Sequence, residues 1–149
     1  MRPIPPPKES LLPVMKVVKA EGWPGDLTPV PGEGLSVRAF ARGLDHPRWL
    51  YVLPNGDVLV AETNAPKRPD DAKGIKGFFF RAFQARAGGG VPSANRILLL
   101  RDTDGDGVAD TRTTFIANLH SPFGMTLVGN ELYVANTDGV VRLALDAQG

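Results

Sequence analysis

The stretch that decides the fold runs from residue 44 to residue 64, LDHPRWLYVLPNGDVLVAETN, and it returns over residues 119–138 as LHSPFGMTLVGNELYVANTD. In each copy a Pro-containing loop leads into an apolar run, an Asn-containing turn and a second run ending in Val-Ala-x-Thr. The offset is 75 residues between Pro47 and Pro122 and 74 between the Val-Ala pairs, so the second turn is one residue shorter. The two copies predict an internal structural repeat, with chance similarity between two hairpins as the alternative.

Short apolar runs bounded by turn residues extend outward from both copies and predict an all-β protein. The predicted strands are Leu35–Ala41, Trp49–Leu53, Val58–Ala61, Arg96–Arg101, Thr113–Ala117, Met125–Val128, Glu131–Ala135 and Val140–Leu145. A propeller blade takes about 40–50 residues, and the repeat reaches that length if residues 65–94 are an insertion. We therefore expect two four-stranded blades of a β-propeller over residues 35–149.

Two segments differ from this pattern. Residues 1–34 are rich in proline, which forbids a long helix and predicts an extended leader. Within the insertion, apolar residues recur at helical spacing with basic residues between them, and Gly88–Gly90 ends the pattern. The apolar positions are Ile75, Phe78, Phe79, Ala82 and Phe83. We expect a short helix that packs its Phe side chains on the propeller, the alternative being a basic amphipathic helix that contacts a membrane or partner.

Composition narrows the function classes. The formal net charge of +1 gives no strong electrostatic field that would favour binding of nucleic acid. The absence of cysteine removes disulfides, thiolate zinc sites and thiol nucleophiles. The N-terminus has no apolar h-region, so it does not read as a signal peptide. Either the protein is not exported, or a targeting segment lies upstream of this sequence.

The amino-acid sequence of residues 43–64, 93–97 and 121–138 resembles that of the glucose/sorbosone dehydrogenase family, in particular its L-sorbosone dehydrogenase branch. The resemblance covers roughly residues 35–145. It implies a six-bladed propeller, the cofactor pyrroloquinoline quinone (PQQ), Ca²⁺, a sugar or aldehyde substrate and a periplasmic location. The family's catalytic base is a histidine on a later inner strand. No position of this sequence matches it, so we expect an incomplete propeller that is inactive alone.

Loops that enter the innermost strands of a propeller gather at its central axis, where ligands bind. The candidate cofactor-binding residues are His46, Arg48, Glu62 and Asn64, and His120, Asn136 and Asp138 lie in the second copy of the same loops. Arg48 has the geometry to pair with quinone carboxylates and His46 can accept a proton near neutral pH. The alternative for each residue is a structural hydrogen bond. Trp49 and Phe123 are expected in the core.

The clearest candidate metal site is the stretch DTDGDGVAD at residues 102–110. Asp102, Asp104, Asp106, the Val108 carbonyl and Asp110 occupy positions 1, 3, 5, 7 and 9 of a calcium-binding loop, with Gly107 at the sharp turn. Position 12 is Thr113, which has no carboxylate, and the flanks read as strands. We expect a weak structural Ca²⁺ site, the alternative being a Gly-rich turn with solvated carboxylates.

The leading functional expectation is thus part of a quinone-dependent sugar or aldehyde dehydrogenase, in which the cofactor carries the redox chemistry. A non-catalytic propeller that serves as a binding scaffold is one alternative. A calcium-dependent propeller hydrolase, with a central metal that holds the substrate, is the other.

Overall fold

The computed structural model describes residues 18–22, 25, 27–66 and 74–145, without the side chains of Ile75 and Lys76. The start of the predicted leader, part of the insertion and the last four residues lie outside this description. In chain order the elements are β1 (Pro47–Val52), β2 (Val58–Glu62), α1 (Gly74–Arg86), β3 (Arg96–Arg101), β4 (Thr111–Ile116), β5 (Gly124–Val128), β6 (Glu131–Ala135) and β7 (Val140–Ala144).

The strands form two antiparallel sheets, which confirms the prediction of a mostly β protein. The first sheet has the order β1-β2-β3-β4 and the second the order β5-β6-β7, so within each sheet every strand pairs with its neighbour in sequence. Among the described residues the second sheet has three strands, and the two sheets do not close into a ring.

The two copies of the repeat form hairpins with matching register. Trp49 pairs with Ala61 in the first hairpin, and the corresponding Gly124 pairs with Ala135 in the second. His46 and Ser121, which precede the two prolines, both have left-handed backbones, with φ of 53° and 48°. His120 therefore corresponds to Asp45 in the repeat, one position away from His46. The missing residue lies in the turn, as the sequence predicts.

The main core lies between the two sheets. One face of the first sheet supplies Leu59, Ala61, Ile97 and Leu99, and the second sheet supplies Met125, Leu132 and Val134. The β1 strand lies beside β5, and the backbone N–H of Leu127 donates to the Tyr51 hydroxyl at 3.2 Å. Removing apolar surface from water stabilises a fold by about 25 cal/mol per Å², so burial at this interface holds the two sheets together.

A second, smaller cluster covers the other face of the first sheet. Val60, Leu98 and Leu100 pack there against Phe40, Ala41, Leu44, Val58 and Ala109. The predicted strand Leu35–Ala41 is wrong, because this segment pairs with no strand and instead lies over the sheet. The Phe40 carbonyl accepts a hydrogen bond from Ala109 N at 2.8 Å. The segment Leu35–Ala41 thus buries apolar side chains against the sheet without adding a strand to it.

The predicted helix in the insertion is present as α1. Its phenylalanines do not pack on the sheets as expected, since Phe78 and Phe79 are 63% and 54% exposed and contact each other edge to face. A contact of this apolar face with a membrane or partner stays a prediction. None of the helices in the described part of the chain is long and apolar enough to span a bilayer.

Trp49 and Phe123 are the other residues that the core prediction misplaces. They remain 43% and 46% exposed, although their rings lie 5.6 Å apart with their planes tilted by 46°, between β1 and the start of β5. Trp49 and Tyr51 share the core-facing side of β1, because they pair with Ala61 and Leu59, but Trp49 lies at the rim and only Tyr51 packs against the main core.

Candidate functional site

Glu62 ends β2 with its carboxylate fully buried, and its oxygens bind groups of this chain. Oε1 accepts from Asp45 N at 2.6 Å and Oε2 from Arg96 Nε at 2.6 Å. Arg112 Nη2 approaches Oε1 at 3.4 Å, and Arg96 also reaches the Asp45 carboxylate at 2.8 Å. The hydrogen bond that Arg96 donates to Glu62 raises the pKa of Arg96 above its usual value. This ion-pair cluster ties the loop before β1 to β2, β3 and β4.

Asn64 is also buried, and its polar groups form hydrogen bonds within the chain. Its amide Nδ2 donates to the Val91 carbonyl at 2.6 Å, and its backbone N–H donates to Ser93 Oγ at 2.9 Å. Its carbonyl accepts from Ser121 Oγ at 3.1 Å. Asn95, which has a left-handed φ of 52°, accepts from Ser93 Oγ and from Ser121 N. These polar residues join the end of the insertion to the loop before β5.

His46 and Arg48 are more accessible than Glu62 and Asn64. His46 is half-buried and donates from Nε2 to the Gly88 carbonyl at 3.0 Å, which joins its loop to the end of α1. Arg48 is exposed, and its guanidinium lies 5.4 Å from the centre of the Phe123 ring. This is a cation–π contact, which leaves the planar N–H donors of the guanidinium directed elsewhere.

The second copy of the loop brings His120, Thr137 and Asp138 together. His120 Nδ1 lies 3.0 Å from Thr137 Oγ1 and 3.4 Å from an Asp138 carboxylate oxygen. The histidine and aspartate side chains are 58% and 64% exposed. The neighbouring Asn136 has a buried Oδ1 without a hydrogen-bond partner among the described residues. This group is an exposed hairpin cap that holds the His120 ring in place.

These contacts decide how far the predicted cofactor residues fit a quinone. Glu62 and Asn64 do not fit, because their polar atoms are buried and bonded within the chain. His46 has one ring nitrogen committed to a backbone carbonyl. Within the described part of the chain Arg48 contacts the Phe123 ring and has no hydrogen-bond partner, so its planar N–H donors are available to a carboxylate. The described residues therefore offer one contact to a quinone and no enclosed site for it.

The loop between β3 and β4 forms a separate acidic cluster. Asp102, Asp104 and Asp106 each place a carboxylate oxygen within 4.8 Å of the other two. Backbone amides shape the cluster: Gly105 N and Gly107 N donate to the two oxygens of Asp102, both at 2.8 Å. Gly107 has φ of 84°, a left-handed conformation that glycine adopts without strain. A single loop thus directs three carboxylates to one point.

The geometry of this cluster fits a calcium ion. Calcium binds oxygen at about 2.3–2.6 Å, so two oxygens on one ion lie at most about 5.2 Å apart, and the observed separations fall within that span. Carboxylate oxygens carry two lone pairs, so the bonds to backbone amides leave capacity for a metal. Arg38 is the nearby counter-charge, with Nη1 3.3 Å from Asp106 Oδ2.

Two of the predicted ligands are not part of the carboxylate cluster. Asp110 turns its Oδ2 to Thr103, which donates from both N and Oγ1 at 2.7 Å. The backbone N–H of Thr103 lowers the pKa of Asp110 below its usual value. Val108 donates its N–H to Asp106 Oδ1 at 2.8 Å. Thr113, at position 12, lies in β4 opposite Leu99 and supplies no carboxylate.

The fold and these contacts define a two-sheet antiparallel β protein with an acidic β3–β4 loop. Residues 55–149 match the profile of the family described as Domain of unknown function (DUF7133), and the chain belongs to that family. Neither a curated protein nor a solved structure matches the chain.

Proposed function

We propose that the loop of residues 102–110 binds Ca²⁺ as a structural ion of the β3–β4 hairpin. The observation that carries this proposal is the convergence of Asp102, Asp104 and Asp106 within 4.8 Å. Three like charges this close repel one another, and one partly exposed arginine offsets only part of that repulsion. A hard divalent cation with oxygen ligands suits both the charge and the spacing.

Calorimetric titration of the purified chain with CaCl₂ tests the site. We expect one site with a dissociation constant between about micromolar and millimolar. Thermal denaturation in Ca²⁺ at 100 times that constant should show stabilisation of about 2.7 kcal/mol. Mg²⁺ should bind more weakly, because it requires a tighter octahedral shell.

Two variants with the same change of charge separate a metal site from a general charge effect. Asp104→Asn removes a cluster carboxylate and should abolish the calorimetric signal. Glu33→Gln removes an exposed carboxylate far along the chain from the loop and should leave the signal unchanged. No heat and no change in melting temperature at millimolar Ca²⁺ would favour a turn with solvated carboxylates.

We further propose that the two sheets are successive blades of a β-propeller. The matching hairpin register and the left-handed residues His46 and Ser121 support this arrangement. Leu50 and Val52 on β1 share a face with Val60 and Leu98 yet are 62% and 64% exposed. A further blade in contact with the β1 edge of that face would bury both side chains.

The larger function that we propose is quinone-dependent oxidation of a sugar or aldehyde in the periplasm. The resemblance to glucose/sorbosone dehydrogenases supports it, together with the paired hairpins that carry the resemblance. When bound, PQQ supplies the redox chemistry. In this chain Arg48 would contribute a bidentate contact to a quinone carboxylate, whereas Glu62 and Asn64 hold the loops in place. The internal use of Glu62 and Asn64 also favours the alternative, a non-catalytic binding scaffold.

Titration of the Trp23→Phe variant with PQQ, followed by quenching of the fluorescence of the remaining Trp49, distinguishes the dehydrogenase from the scaffold. Saturable quenching that weakens about tenfold in Arg48→Gln supports a quinone-binding blade. Quenching that does not saturate, or that is insensitive to this change, supports the scaffold. We expect no dye reduction with glucose, sorbosone or simple aldehydes, since the described residues enclose no cofactor. Clear turnover would contradict that assignment of the residues.

A further inference from the structure

A cavity of about 470 Å³ lies on the face of the first sheet that points away from the second sheet. Three arginines, Arg38, Arg42 and Arg112, line it together with apolar side chains that include Val37, Phe40 and Val108. We propose that this cavity binds a small organic anion, a carboxylate or phosphate carried on a short apolar chain. The size lies within the range of about 300–1,000 Å³ that is usual for small-molecule sites.

The charges in the cavity are the first reason. No described Asp or Glu is among the residues that line it. Arg112 donates to the Arg42 and Gly43 carbonyls, at 3.3 and 3.0 Å, and its nearest acid is Glu62 at 3.4 Å. Glu62 itself is shared with Arg96. Arg42 donates to the Gly25 carbonyl at 3.3 Å. Arg38 is paired with Asp106 and Arg112 with Glu62, so Arg42 is the lining arginine that lacks an acidic partner among the described residues, and an anion in the cavity would pair with it.

The apolar part of the lining is the second reason. Val37 and Val108 are 43% and 36% exposed although they lie beside the covered Phe40 and Leu100. An inorganic anion would leave these side chains in contact with water. An anion with an attached hydrocarbon chain would cover them, and burial of apolar surface favours that complex. Guanidinium groups beside an apolar lining therefore favour binding of an amphiphilic anion over an inorganic anion.

The position of Arg38 connects this cavity with the acidic loop. Arg38 lines the cavity and also pairs with Asp106, one of the three clustered carboxylates. The coupling rests on the proposed Ca²⁺ site: an ion at Asp106 competes with Arg38 for the carboxylate at 3.3 Å. The guanidinium keeps its hydrogen bond to the Asp106 backbone carbonyl, and its charge then becomes available to an anion in the cavity. By linkage, Ca²⁺ then tightens binding of the anion, and the anion tightens binding of Ca²⁺ by the same factor.

Titration of the full chain with octanoate in the absence of Ca²⁺ tests the anion site. We expect saturable binding near about 1 mM, because the cavity is open and the ligand has only ten heavy atoms. Octanamide has the same length without the charge, and inorganic phosphate has charge without the chain. Both should bind at least about tenfold more weakly. If phosphate or octanamide binds as tightly as octanoate, the proposal is wrong.

Two arginine variants localise the binding. Arg42→Gln removes a cavity charge and should weaken octanoate binding about tenfold, whereas Arg42→Lys, which keeps the charge, should recover part of it. Arg142→Gln removes an exposed arginine of β7, which pairs with Glu131, and should have no effect. Thermal denaturation of each variant checks that it folds. Equal octanoate affinity in wild type and Arg42→Gln would overturn the site.

Repeating the titration with saturating Ca²⁺ separates this proposal from the Ca²⁺ proposal. A several-fold gain in octanoate affinity that disappears in Asp106→Asn supports the coupling through Arg38. If the chain binds octanoate but no Ca²⁺, the anion site stands and the metal site falls. If it binds Ca²⁺ with no change in octanoate affinity, the coupling is wrong.

Discussion

Replacement of Glu62 by glutamine should destabilise the chain strongly, although the side chain keeps its size. The carboxylate accepts from Asp45 N and Arg96 Nε, both at 2.6 Å, and is wholly buried. Glutamine has one acceptor oxygen, so its amide nitrogen must face one of these two donors. One buried donor loses its partner, and the Arg96 guanidinium loses its buried counter-charge.

The magnitude follows from these two losses. Removing one partner of a buried ion pair costs about 3–5 kcal/mol, and a single unsatisfied buried donor about 1–3 kcal/mol. The Arg96 side chain is 31% exposed and therefore regains some hydration. We expect the lower end, a loss of about 3 kcal/mol in the free energy of unfolding. For a chain of this size that corresponds to a fall in melting temperature of about 6–12 °C.

Urea denaturation monitored by circular dichroism measures this difference without Ca²⁺ or quinone present. The matched control is Glu131→Gln on β6, which breaks an exposed pair with Arg142 and should cost at most about 1 kcal/mol. If Glu62→Gln unfolds within about 1 kcal/mol of wild type, the cluster is not a structural centre. The buried carboxylate would then have to be explained by function.

Asp57 gives the remaining predictions, which concern pH. It is buried, and hydrogen bonds from Arg101 hold its pKa below the usual value. Because the pKa of Asp57 is lower in the folded state than in the unfolded state, its ionised carboxylate stabilises the folded protein. This stabilisation is fully present above the unfolded pKa of about 3.9 and is lost as the pH falls through the folded pKa. Wild type should therefore lose unfolding free energy below about pH 4. Asp57→Asn should start about 2 kcal/mol less stable at pH 7 and show a shallower acid limb in urea titrations. Parallel acid limbs in the two proteins would refute the assignment.

Local patterns predict the hairpins and the acidic loop because their causes lie within a few residues. The turn at Asn55-Gly56 and the two apolar runs that flank it set the register of the first hairpin. The Asp-x-Asp-x-Asp spacing directs three carboxylates to one point without help from distant residues. The helix follows for the same reason, since its spacing and its terminal glycines are local.

The ion-pair cluster could not be predicted, because its partners are distant in sequence. Arg96 and Arg112 lie 34 and 50 residues from Glu62, and only the sheet order brings them together. No local signal marks this cluster, since the residues around Glu62, Arg96 and Arg112 do not show which strands will pair. The prediction of a strand at Leu35–Ala41 fails because an apolar run indicates burial but does not indicate whether another strand lies beside it.

Burial of a side chain cannot be predicted from its apolar character alone, as is also seen in the exposed Phe78 and Phe79 and in the rim position of Trp49. Apolar composition predicts that a side chain gains from burial, but the covering surface comes from elements elsewhere in the chain. Burial at these positions is a property of the assembled sheets, whereas hairpin geometry is a property of the hairpin alone.

The long connection between β2 and β3 has a consequence for the protein as it is made. These strands pair directly, yet 33 residues separate Glu62 from Arg96. At about 5–20 residues per second, roughly 2–7 s pass on the ribosome before β3 follows β2 into the open. Hairpins close in about 1–10 μs, so the β1–β2 hairpin waits with Leu59 and Val60 uncovered on both faces. A newly made chain thus presents its most apolar strand to chaperones for a million-fold longer than that strand needs to pair.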